Sequence, residues 1–163
     1  MKIIIAAAAT ALALSALPLR ADELPQRKPG LWETKSIGAE GQTIAKQCVG
    51  PGTDQAAMGA LAGGACSKTQ ITKTATGYSV ATECAMGAIK ASGSSVITGD
   101  FQTQMRTEGS TTLTGMPGQS GPAERKIVVE ARRLGDCEAG QKPGDIIMPD
   151  GKVISMPGAK PAP

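Results

Sequence analysis

The residues best equipped for chemistry are four cysteines, Cys48, Cys66, Cys84 and Cys137. A nucleophilic or redox-active thiol needs a depressed pKa, set by a nearby cation, a histidine or a C-x-x-C turn. The chain has no C-x-x-C and no histidine, so disulfide staples are the expected role. Cys66 and Cys84 bracket two strands, Ser67–Lys73 and Tyr78–Glu83, folded about a turn at Thr74–Gly77. Closing that hairpin brings the two cysteines opposite each other, within disulfide reach. Four cysteines permit three connectivities; this reading selects Cys66–Cys84 and leaves Cys48 for Cys137.

The missing histidine also removes Ser-His and Cys-His nucleophiles and histidine-bearing zinc or iron sites. Phosphate-cradling and dinucleotide-binding glycine motifs are absent too. Glu33, Glu83, Glu108 and Glu130 fall in strand-like stretches and could supply a general acid/base pair. Outward charges on half-covered strands explain them more simply. The catalytic set is therefore empty, as are the cofactor and metal sets. The methionines (Met58, Met86, Met105, Met116, Met148 and Met156) lack the clustered spacing of a copper thioether site. Trp32, Tyr78, Phe101 and Met105 are the candidate ligand-facing residues, at the mouth of a β cup suited to a small apolar ligand. For Trp32 the favoured alternative is a core plug beneath the sheet.

The elements that must carry these groups follow an export pattern. Lys2 precedes an apolar and small-residue run, Ile3–Leu17, and Ala21 offers a cleavage point before Asp22. Residues 1–21 thus read as a secretory signal peptide, too short to span a bilayer comfortably. No transmembrane segment is expected after cleavage, and no cysteine follows the run closely enough for a lipid anchor. The expected location is periplasmic or secreted, where cysteines pair. Without Lys2 and Arg20, 15 basic residues face 14 acidic ones, which gives no electrostatic case for nucleic acid. The only aromatics are Trp32, Tyr78 and Phe101. A domain so short of large apolar side chains depends on its staples.

Residues 22–141 read as one β domain and residues 142–163 as a Gly/Pro-rich tail, either a small hairpin followed by a loose end or loose throughout. Asp22–Pro29 is an extended lead-in. Strands are predicted at Leu31–Ser36, Gln42–Cys48, the two arms between Cys66 and Cys84, and Met86–Thr98, the last interrupted at Gly93. Phe101–Glu108 is the cleanest alternating segment, with Phe101, Thr103, Met105 and Thr107 on one face. Glu124–Leu134 follows, with Ile127 and Val129 inward. Gln55–Ala62 is a short helix that Thr53 or Asp54 can cap. Ile71 and Cys66 differ in parity, which either a bulge near Cys66 or a cysteine just outside the strand reconciles. The fold class is mainly β: a disulfide-stapled antiparallel meander of about seven or eight strands, curled or partly closed.

Lys28-Pro29-Gly30-Leu31-Trp32-Glu33, the order of the four cysteines, and Arg133-Leu134-Gly135-Asp136-Cys137 together resemble the bacterial exported family catalogued as domain of unknown function 3617. The resemblance implies an exported, disulfide-bearing β domain and transfers no reaction, ligand or functional residue. The functional expectation is a non-catalytic binding or envelope-associated module, its partner a small apolar ligand or an envelope protein. A structural or protein-interaction domain is the first alternative, and a carboxylate-based hydrolase the second.

Overall fold

A computed structural model describes residues 22–62 and 65–155, with residues 60–62 described by backbone alone. The signal-peptide region 1–21 and the outer tail 156–163 lie outside the described residues. Among the described residues, short alternating segments separated by glycine turns give nine strands in one antiparallel sheet. In chain order they are β1 (Gly30–Gly38), β2 (Gly41–Val49), β3 (Cys66–Lys73), β4 (Gly77–Met86), β5 (Ile89–Gly99), β6 (Gln104–Thr114), β7 (Ala123–Gly135), β8 (Asp145–Ile147) and β9 (Val153–Ser155). Helix α1 (Thr53–Ala62) carries the chain from β2 to β3 at the other edge.

The spatial order is β3-β4-β5-β6-β7-β1-β2-β8-β9. The middle of the chain is a meander, but the first long strand returns to pair with the last, β1 against β7. The sheet is open, ending at β3 and β9. The hairpin after the last cysteine forms and joins the sheet, Ile147 opposite Lys46 and Ile146 opposite Gln47.

The register sorts every side chain to one of two faces, since directly opposed residues share a face. Trp32, Tyr78, Val80, Ile97, Met105 and Ala131 share the core face. At one end of this face the lead-in from residue 22 and the loop at Phe101 lie over it. Two small clusters result: Trp32, Val49 and Ala131, and Val80, Ile97 and Phe101, with Leu24, Ile71 and Tyr78 packed on the second and Met105 touching both. The opposite, open face carries Glu33, Lys35, Arg106, Glu108, Val128 and Glu130.

Both predicted disulfides are present, Cys48–Cys137 and Cys66–Cys84. Cys66 lies opposite Cys84, and the register shifts between Cys66 and Lys68, so the bulge, and not a cysteine outside the strand, reconciles the parity of Ile71.

Five expectations are corrected. Phe101 is not in a strand: it sits in a turn at φ +57°, and β6 begins at Gln104 and runs on to Thr114. Met86 ends β4, the turn falls at Gly87, and β5 starts at Ile89. That strand continues through Gly93, where a side chain would crowd the hydroxyls of Thr82 and Thr111. Ile127 is 45% exposed because the cover over the core face stops short of it. At α1, the Thr53 hydroxyl accepts from the Gly50 N–H instead of capping the helix, and Asp54 is taken up by Arg27.

Candidate functional site

The lead-in is fastened by its own polar atoms. Arg27 donates from Nε (2.9 Å) and Nη2 (2.6 Å) to the Asp54 carboxylate, and from Nη2 to Gln47 (2.8 Å). Its guanidinium also lies 5.5 Å from the Trp32 ring centroid, a cation–π contact. The Trp32 indole N–H donates to the Lys28 carbonyl (2.8 Å), and the Lys28 N–H to the Phe101 carbonyl (2.8 Å). The Asp22 carboxylate accepts from the Lys73 N–H on edge strand β3 (2.7 Å).

This arrangement decides what the candidate ligand-facing residues do here. Trp32 is completely buried and Phe101 nearly so, its ring edge-on to Tyr78 with centroids 6.0 Å apart. The structure does bring Trp32, Tyr78, Phe101 and Met105 to one face, as core. Met105 alone of the four lines any of the three depressions described next.

Those depressions all lie on the open face. The largest, about 620 Å³, is a trough across β3–β7 floored by small side chains: Ser79, Ala81, Ser94 and Ser110, with Val96 and Val128 beside them. A second, about 570 Å³, is lined by Glu33, Lys35, Arg106, Glu130 and Arg132. A third, about 380 Å³, lies between Ile37 and Val128. Chain periodicity shows which residues share a face but not that the sheet hollows there, so sequence reasoning missed the troughs.

Glu33, Glu83, Glu108 and Glu130 all project from the open face, and each is ion-paired. Arg106 holds Glu108 (2.7 Å) and Glu130, Arg132 lies 3.5 Å from Glu33, and Lys68 3.2 Å from Glu83. The two carboxylates that converge therefore share one guanidinium. Among the described residues no group of three or more His, Cys, Asp or Glu is placed to hold a metal ion. No helix among them is long and apolar enough to cross a membrane.

Two carboxylates are tuned by the chain around them. Asp100 accepts from the Thr103 hydroxyl (2.6 Å) and from the N–H groups of Thr103, Gln104 and Gln102, and these bonds, the hydroxyl first, hold its carboxyl far below the usual range. They also lock the turn that keeps Phe101 left-handed. Buried Asp145 accepts from the Ser155 hydroxyl (2.7 Å) and the Lys142 N–H (2.8 Å), which lower its pKa in that order against the opposing effect of burial.

The sequence model of the family described as "Protein of unknown function (DUF3617)" matches residues 27–137. That span begins at Arg27, contains all four cysteines, and ends at Cys137, leaving β8 and β9 outside it. No curated protein and no solved structure matches the chain.

Proposed function

The chain belongs to the DUF3617 family, and we propose that it is a non-catalytic binding module of the bacterial cell envelope that works through the open face of its sheet. The observation that carries this reading is the contrast between the two faces. The core face is fastened shut at its apolar end by the lead-in, while the open face holds troughs of about 620 and 570 Å³. Those volumes fall in the range of small-molecule sites. Export is supported by the apolar run after Lys2 and by the two disulfides, which persist in oxidising compartments. A hydrolase is the weaker reading, because Glu108 and Glu130 are both engaged by Arg106.

The test is native mass spectrometry on protein purified gently from a bacterial periplasm, beside an Ala81→Trp variant that fills the trough floor. The expected result is an added mass that denaturation removes and that the variant lacks. An added mass that survives Ala81→Trp unchanged moves binding off the trough. A bare mass in every preparation, or absence from the periplasm, overturns the proposal.

A further inference from the structure

The strand charges of the open face do not cancel. Its glutamates are each taken: Glu108 and Glu130 by Arg106, Glu33 by Arg132, Glu83 by Lys68 and Glu124 by Lys126. Among the described residues, Lys35, Lys46 and Lys90 of that face are left without an ion-pair partner. Lys90 stands apart, at the far end between Ala85 and Thr114. Lys35 and Lys46 stand together: Lys46 is opposite Glu33 and Lys35 opposite Ile44, which makes the two lysines diagonal neighbours about 7–8 Å apart at their bases. Aliphatic side chains surround them. Ile44 faces Lys35 across the strands, Ile37 follows it on β1, and Ile147 faces Lys46. Ile37 and Ile44 are 36 and 41% exposed. From Ile37 the aliphatic row crosses the sheet to Val128 and, past Glu108, to Val96. Ile37 and Val128 border the third depression, and Val128 and Val96 the large trough.

We infer that the open face takes a single-chain anionic amphiphile of the long-chain carboxylate class, its headgroup between Lys35 and Lys46 and its hydrocarbon along Ile37 and Val128 into the large trough. The inference rests on the reading above, that the open face is the working surface, and adds the class of ligand. Charge complementarity selects the headgroup, because the strand charges left over beside the aliphatic row are cations. The sheet selects the tail. β1, β2, β6 and β7 are interior strands paired on both sides, so their backbone donors and acceptors are consumed. A peptide laid across them would leave its own backbone groups unmatched, whereas a hydrocarbon chain has none to match. Trp32 and Tyr78 belong to the core face and Phe101 lies over it, so no aromatic ring is offered here for a base to stack on. A bilayer-binding patch clusters about four to eight basic residues, more than the lysine pair beside the row. Three strand spacings of about 4.8 Å separate Ile37 from Val96, a span that suits a long chain and not a short acid.

Isothermal titration calorimetry on the mature, disulfide-intact protein tests this, with sodium dodecanoate held below its micelle concentration. The expected result is saturable binding. Shortening the chain to octanoate should weaken it by more than roughly tenfold, since each fully buried methylene is worth about fourfold in affinity. Dodecyltrimethylammonium, the same chain with the opposite charge, should bind far more weakly. Lys35→Met and Lys46→Met keep an alkyl stem and remove the charge, so each should weaken dodecanoate by roughly two- to fivefold, the range of an exposed ion pair. Lys90→Met should leave it unchanged, and wild-type Trp32 emission will show that each variant is folded. No saturable dodecanoate binding, equal affinity for the cationic chain, wild-type affinity in the Lys35→Met, Lys46→Met double variant, or an equal loss in Lys90→Met each overturns the inference. Binding confined to phosphatidylglycerol vesicles also overturns it and makes a bilayer the occupant. If dodecanoate fails to bind while gently purified protein still carries an added mass that Ala81→Trp removes, the anionic amphiphile falls and the binding function stands.

Discussion

Arg133, near the end of β7, donates its Nε–H to the carbonyl of Pro29, 104 residues earlier, at 2.9 Å. Its Nη2 also reaches Asp136 at 2.6 Å. The same guanidinium closes over Gly30, whose φ of +140° and lack of space within 2.6 Å of Arg133 exclude a side chain. One arginine thus ties the Gly-Leu-Trp start to the Gly-Asp-Cys end, where β1 pairs with β7. Arg133→Ala leaves the Pro29 carbonyl without that donor, and the expected loss is about 1–3 kcal/mol in chemical denaturation. Gly30→Ala should cost at least as much, because φ and space are both wrong for it. Wild-type stability in either variant would mean the junction carries no load.

Arg27 and Asp54 fasten the lead-in over Trp32, with side chains 12% and 24% exposed. Removing one partner leaves the other partly desolvated and unpaired, so Arg27→Met and Asp54→Ala should each cost about 1–3 kcal/mol. Trp32 is the only tryptophan, completely buried beneath Arg27. Its emission should therefore shift to the red in both variants before global unfolding begins. An unshifted spectrum would mean the lead-in stays down without the pair.

The sheet itself was legible because its signals are local. The two hairpin arms, the parity mismatch of Ile71 against Cys66, and the turn at Thr74–Gly77 are each set by a few neighbouring residues, and all are present. The cysteine pairing followed from that hairpin. What escaped depends on distant residues. Phe101 sits on the alternating parity of Met105, but Asp100 draws three following N–H groups into a turn and keeps Phe101 out of β6. Ile127 alternates correctly, yet the lead-in and the Phe101 loop never reach it. Thr53 and Asp54 both look like helix caps because a cap is a local device, but the partner of Asp54 lies 27 residues upstream. The troughs depend on how nine strands bend together, which no single stretch encodes.

The two disulfides should differ in weight. Cys66–Cys84 spans 18 residues and Cys48–Cys137 spans 89. In the chain-entropy model these loops correspond to about 3 and about 4.5 kcal/mol of stabilisation. Replacing each pair by serines and titrating with urea should therefore show the larger loss for Cys48 and Cys137. That pair has a second role, because the Cys48 carbonyl accepts the Gly144 N–H (2.8 Å) that leads into β8. Amide exchange across 145–155 should rise when Cys48–Cys137 is removed and hold when Cys66–Cys84 is removed. Equal exchange in both would detach the hairpin from the staple.

Acid should loosen the same edge. Asp145 has its pKa lowered in the folded chain by the Ser155 hydroxyl and the Lys142 N–H. A carboxylate whose folded pKa lies below its unfolded value stabilises the fold above the unfolded pKa, about 3.9 for Asp, and that stabilisation disappears as pH falls through the folded value. Asp100, lowered chiefly by the Thr103 hydroxyl, acts in the same direction at the Phe101 turn. Melting temperature should thus hold near neutrality and drop below about pH 4. Ser155→Ala removes the largest cause of the Asp145 shift, so it should lower stability at neutral pH and flatten the acid limb. Amide exchange should place the acid-sensitive change in 145–155, where Asp145 ties β8 to Ser155 of β9. An acid limb of wild-type steepness in Ser155→Ala would assign the sensitivity to the Asp100 turn, and Thr103→Val should then be the variant that flattens it.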